Sequence, residues 1–106
     1  MLTRRTLVSA ALIILGTQPV IAKSKNHHIL IQDFQFSPKS LNVRRGDTVV
    51  FTNKDVVPHT ATAVDLSWDS GDLKMNAQWS FTAVRSGELE FFCVHHPVMR
   101  GRLIAD

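Results

Sequence analysis

The chain has 106 residues, with 12 Lys and Arg against 9 Asp and Glu, for a formal net charge of +3. Arg4 and Arg5 belong to an N-terminal leader; without them the balance is 10 to 9, too near neutral to draw the chain to nucleic acid, and no basic run interleaves with aromatics. The one cysteine, Cys93, excludes an internal disulfide, so a domain this small must rely on its core or on a bound metal.

The leader comes first in chain order. Arg4 and Arg5 precede the apolar run "LVSAALIILG" from Leu7 to Gly16, and Val20 and Ala22 supply small residues at a cleavage site. This order predicts a secretory signal peptide over residues 1–22, with cleavage after Ala22. The apolar run is shorter than the roughly 20 residues needed to cross a bilayer. "TRRTLV" fits either a twin-arginine export signal, with Leu7 where that pattern has Phe, or an ordinary positive n-region. Both routes predict a periplasmic protein whose mature chain, residues 23–106, is a single domain with no stable membrane insertion.

Short β-prone runs follow, separated by turn residues. Ile29–Ile31 leads to Phe34 and Phe36, and "SPKS" breaks the run. Leu41–Val43 precedes the "RRGD" turn, where Gly46 suits a positive φ. Thr48–Thr52 is the clearest strand, and Asn53 after it reads as a turn residue. Thr60–Val64 is a further strand, "DLSWDSGDLKMNAQ" a polar loop, and Trp79–Ala83 alternates as a half-buried strand does. Glu88–Cys93 and Arg102–Ala105 close the series. Seven or eight short strands at this spacing predict an all-β fold, an antiparallel sandwich or barrel, with Phe34, Phe36, Phe51, Phe81, Leu89 and Phe91 in the core.

The chemistry concentrates in "FFCVHHPVMRG". Cys93, His96 and Met99 stand three residues apart, so a loop curling off a strand end brings them to one point, with Pro97 stiffening the curl and Gly101 releasing a sharp turn into the last strand. A fourth ligand must come from elsewhere, and His59 in "VVPHTAT" is the candidate, its approach stiffened by Pro58. Two imidazoles, one thiolate and one thioether form the donor set of a type 1 copper site, whereas structural zinc seldom takes Met. His95 reads as solvent-facing or as a neighbour of the ligands. Met75 lacks supporting spacing, and His27 and His28 read as solvated.

These residues carry a resemblance. "FQFSPKSLNVRRGDTVVFTNKDVVPHTAT" and "SGELEFFCVHHPVMRGRLIAD" resemble the cupredoxins, and within them the amicyanin-like small blue copper proteins, whose His-to-Met gap is equally short. The resemblance implies a Greek-key β-sandwich of seven or eight strands, with one copper ion bound by His59, Cys93, His96 and Met99. It implies a monomeric one-electron carrier, with a quinoprotein amine dehydrogenase as donor and a c-type cytochrome as acceptor. It also implies an apolar patch, here Pro58, Pro97 and Val98, around the second loop histidine. Two positions depart from the pattern. Thr60 replaces the Asn that ties the two ligand loops, and His95 replaces a Pro, adding a backbone N–H able to reach the Cys93 sulfur.

Two other functions compete. A trafficking or sequestration module would hold copper in an open, exchanging site. A copper oxidase or reductase would flank its cysteine with histidines, whereas Phe92 and Val94 flank Cys93. No nucleophile–base pair stands out, so the chain reads as a carrier and not an enzyme.

Overall fold

The structure is a computed structural model that describes residues 23–106; the expected leader over residues 1–22 lies outside the described residues. Eight strands follow one another: β1 (Asn26–Gln32), β2 (Gln35–Ser37), β3 (Ser40–Val43), β4 (Thr48–Asn53), β5 (Thr62–Ala63), β6 (Gln78–Thr82), β7 (Gly87–Phe92) and β8 (Arg100–Ala105). They form two four-stranded sheets, in the orders β2-β1-β4-β6 and β3-β8-β7-β5. Of the sandwich or barrel that the strand spacing allows, the all-β sandwich is present. Among the described residues no helix is long and apolar enough to cross a membrane.

The sandwich is not purely antiparallel. β1 pairs with β4 in parallel, and so does β3 with β8. Strands that follow one another mostly lie in opposite sheets, so each partner arrives after a crossover, which is what parallel pairing requires. Local periodicity carries no record of that crossing.

Alternation sets the core. Ile29 and Ile31 of β1 point inward with Val49 and Phe51 of β4, while Leu30 between them is 39% exposed. Phe91 meets Phe36 and Phe51 edge to face at 4.8 and 5.4 Å. The expected polar loop after β5 contributes as well. Trp68 stacks on Phe81 at 4.3 Å, and Leu73 is buried. Phe81 and Leu89 are half-buried, whereas Phe34 is 47% exposed and does not belong to the core. It occupies the two-residue turn between β1 and β2 with Asp33, both at positive φ (56° and 57°), the conformation of a type I′ hairpin turn.

Gly101 also differs from expectation. It makes no turn; it lies within β8 opposite Phe91, where a Cβ would sit 2.5 Å from the Phe91 ring and 2.9 Å from the Lys39 carbonyl. Close approach, not torsional freedom, requires glycine here. Gly101→Ala is expected to cost about 1–3 kcal/mol, the usual cost of overpacking, read as a lower urea midpoint at unchanged slope.

At the opposite end from Cys93, the buried Asp47 carboxylate gathers the start of the domain. It accepts hydrogen bonds from the backbone N–H groups of Arg44 and Lys25, both at 3.0 Å, and contacts His27 Nε2 at 2.8 Å. The Arg44 N–H, then His27 and the Lys25 N–H, hold its carboxyl far below the ordinary value. Because the folded-state value lies below the unfolded one, this stabilisation is complete above about pH 4 and fades as pH falls further. The urea midpoint should therefore drop in that acid range, and Asp47→Asn should lower stability at neutral pH while flattening the acid decline.

Candidate metal centre

The loop from β4 to His59 is organised before His59 is reached. Asn53, fully buried at the end of β4, is no simple turn residue. Its Nδ2 donates to the carbonyls of Val57 (2.9 Å) and Leu73 (2.7 Å), and its Oδ1 accepts from the Asp55 N–H (2.9 Å). His59 then exchanges backbone hydrogen bonds with Leu73, at 3.2 and 2.8 Å. One amide side chain thus fixes the bend from β4 to His59.

Asp55 orients the imidazole. Its carboxylate contacts His59 Nε2 at 2.8 Å and accepts the Asp33 and Phe34 N–H groups at 2.8 and 3.0 Å. Burial alone would push the Asp55 carboxyl up, but the hydrogen bonds from Phe34, Asp33 and His59 leave it below the ordinary value. An ionised carboxylate only accepts, so it keeps the proton on Nε2 and leaves the lone pair on Nδ1. That Nδ1 lies 3.7 Å from Cys93 Sγ, and both residues are fully buried.

The second loop converts its spacing into geometry. The His96 N–H donates to the Cys93 carbonyl (3.2 Å), and the Met99 N–H to the His96 carbonyl (2.8 Å). Two successive turns, each closed by an N–H to the carbonyl three residues back, bring positions 93, 96 and 99 round together, and the Cys93 N–H donates back to the Met99 carbonyl at 3.2 Å. Met99 is 3% exposed, and His96 is half-buried with its ring centroid 5.3 Å from that of His59. Phe34 stands edge-on to both rings, at 5.0 Å from His59 and 4.8 Å from His96.

His59, Cys93 and His96 are thus gathered at one end of the sandwich, with Met99 buried in the same loop. Among the described residues, no three His, Cys, Asp or Glu side chains converge as a ready-made cage. The close element is the His59–Cys93 pair. Its 3.7 Å separation matches two ligands of one ion with bonds of about 2.0 Å to nitrogen and 2.3 Å to sulfur. A buried thiol facing an imidazole lone pair, with a second imidazole and a thioether on the same loop, fits a soft, four-ligand metal.

The two departures resolve differently. Thr60 supplies the loop tie: its N–H donates to Cys93 Sγ at 3.3 Å, and its Oγ1 accepts the Val94 N–H at 3.0 Å. The sulfur draws its backbone hydrogen bond from Thr60, not from the expected His95 N–H. His95 faces solvent and pairs with Asp72 at 2.7 Å. Met75 is 50% exposed, and Pro58, Pro97 and Val98 are exposed in the loops that carry His59 and His96.

A cupredoxin-like domain model matches residues 5–105. Amicyanin from Paracoccus denitrificans is 26% identical over 81 residues, covering 72% of this chain, and the chain spans 62% of that relative's length. The solved structure of an oxidised methionine-to-leucine variant of amicyanin superposes with a TM-score of 0.72 at 25% identity, over 76% of this chain and 81% of that one. A copper-containing nitrite reductase from Thermus scotoductus superposes at 0.71 and 25% identity over 84% of this chain, but only 25% of that one.

Releasing the His59 ring should weaken metal binding without unfolding the sandwich. Asp55→Ala is expected to lower metal affinity about 10- to 100-fold, the usual effect of removing a partner that orients a histidine ligand. Competition with a chelator measures the loss, and circular dichroism checks that the β-sheet signal is retained.

Proposed function

Because this chain belongs to the cupredoxin-like domain family, whose model spans residues 5–105, we propose that it is an exported, periplasmic blue copper protein carrying single electrons. One copper ion is held by His59, Cys93, His96 and Met99. The observation that carries this assignment is the buried His59 Nδ1–Cys93 Sγ pair at 3.7 Å, set at the mouth of the Cys93–Met99 loop. Copper supplies the one-electron Cu(II)/Cu(I) couple when bound. Cys93 and Met99 provide the sulfur donors that suit the reduced ion, and the two imidazoles suit both states.

The chain's own residues favour transfer with little rearrangement. His59 is fixed by Asp55 and Leu73, Cys93 by Thr60 and Met99, and water is kept from His59 and Cys93 by complete burial. His96 is the half-buried way out. Around it lie Phe34 at 47% exposure, Val98 at 91% and the exposed Pro58 and Pro97, an apolar contact face for a brief redox encounter. By likeness to amicyanin, the partners are a quinoprotein amine dehydrogenase as donor and a c-type cytochrome as acceptor.

Burial of three of the four ligands counts against a trafficking module that must release its metal. The nitrite reductase shares a domain-sized quarter of its length with this chain, and here Phe92 and Val94 flank the cysteine in place of histidines. Adding Cu(II) to the purified protein should give an intense thiolate-to-copper band at one ion per chain, with reversible one-electron cycling. Cys93→Ser should abolish the band. A colourless or rapidly exchanging complex would favour trafficking instead.

A further inference from the structure

Two threonines are buried behind the Cys93 loop where an apolar residue would pack without polar cost. Thr60 is 2% exposed and Thr62, the first residue of β5, is 1% exposed. A buried hydroxyl is costly unless hydrogen-bonded. Here the bonds run in one line: the Val94 N–H to Thr60 Oγ1 at 3.0 Å, Thr60 Oγ1 to Thr62 Oγ1 at 2.9 Å, and Thr62 Oγ1 to Asp69 Oδ1 at 2.9 Å.

The chemistry of the end groups fixes the direction of every bond. A backbone N–H can only donate, and an ionised carboxylate can only accept. Thr62 therefore donates to Asp69, so its oxygen accepts from Thr60, whose own oxygen accepts from Val94. Bonds aligned in this way polarise one another. The far end is itself anchored: Asp69 Oδ1 accepts the Gly71 N–H at 3.0 Å, Asp69 bridges Thr62 in the backbone, and Ser70 Oγ accepts the Ala61 N–H at 2.8 Å. Trp68, next to Asp69, is packed on Phe81.

The near end meets the cysteine on two sides. Thr60 donates its N–H to Cys93 Sγ and receives the N–H of Val94, the next residue. From this we infer that Thr62 and Asp69 are positioning residues, which hold Thr60 against the Cys93 loop and so set the hydrogen bond to the cysteine sulfur. The inference rests on Cys93 being a copper ligand for its redox consequence, but not for its structural one. Hydrogen bonds to a thiolate favour the reduced state's extra electron density, so a slack relay lowers the reduction potential.

The test compares Thr62→Val, which keeps the shape and removes the hydroxyl, with Thr62→Ser, Asp69→Asn and the Thr62→Val/Asp69→Asn pair. In the metal-free protein, Thr62→Val should speed amide exchange at Thr60 and Val94 about 10-fold, the scale of one buried hydrogen bond. Leu89, away from the relay, should be unchanged, Thr62→Ser should restore protection, and the double variant should be no worse than Thr62→Val. With copper bound, the potential should fall in Thr62→Val and recover in Thr62→Ser. Unchanged exchange at Val94, equal acceleration at Leu89, or additive single effects would each overturn the relay. If wild type gives no thiolate-to-copper band, the copper assignment fails while the exchange arm still decides the relay.

Discussion

One carboxylate holds the functional end of this molecule together. Asp55 accepts from the N–H groups of Asp33 and Phe34 and from His59 Nε2, three donors drawn from two separate loops. The first two lie in a hairpin turn at positive φ, which turns consecutive N–H groups toward one acceptor. The third fixes which imidazole nitrogen faces the cysteine. Without that charge, the turn that presents Phe34 and the ring that presents Nδ1 would lose a common anchor. The position of Phe34 against both histidines follows from it.

The rest of the site is a problem of assembling distant pieces with little slack. His59 and Cys93 are separated by 34 residues, yet their side-chain atoms lie 3.7 Å apart. The sandwich achieves this by ending β4 in one sheet and β7 in the other at the same pole. Three local devices then remove the remaining freedom: Asn53 across the bend, the two turns of the Cys93–Met99 loop, and Thr60 between the loops. Such fixing suits the proposed copper site, which would have to accept two oxidation states with little movement, since a loose ligand would add rearrangement to each transfer.

What the sequence discloses divides along the same line. The Cys93–Met99 loop is legible because its geometry is local: a spacing of three becomes two successive β-turns, and no distant residue is needed to read it. The strand over Thr48–Thr52 is legible as a β-branched and aromatic run, and that over Trp79–Ala83 from its alternation. The pairing of β1 with β4 in parallel is not, because it depends on where the chain crosses between sheets. Phe34 reads as core because it is aromatic beside a strand. Its exposure arises from a hairpin turn whose Asp-Phe pair lacks the usual Asn-Gly signal. Asn53 reads as an ordinary turn residue since its partner Leu73 is distant in sequence.

Thr60, where the resemblance leads one to expect Asn, ties the two loops with a different chemistry. An Asn amide bridges loops with a donor and an acceptor of its own, so it can be satisfied at its own position. A Thr hydroxyl that receives the Val94 N–H has a single proton left to place, in a site with 2% exposure and no solvent to take it. The acceptor must therefore be another buried group, which is Thr62, and that group must in turn pass its proton on, which it does to Asp69. The polar requirement thus moves outward one hydroxyl at a time until it reaches a carboxylate at the surface. Thr60 thereby engages two further residues, and the loop carrying Asp69 is linked to the Cys93 loop.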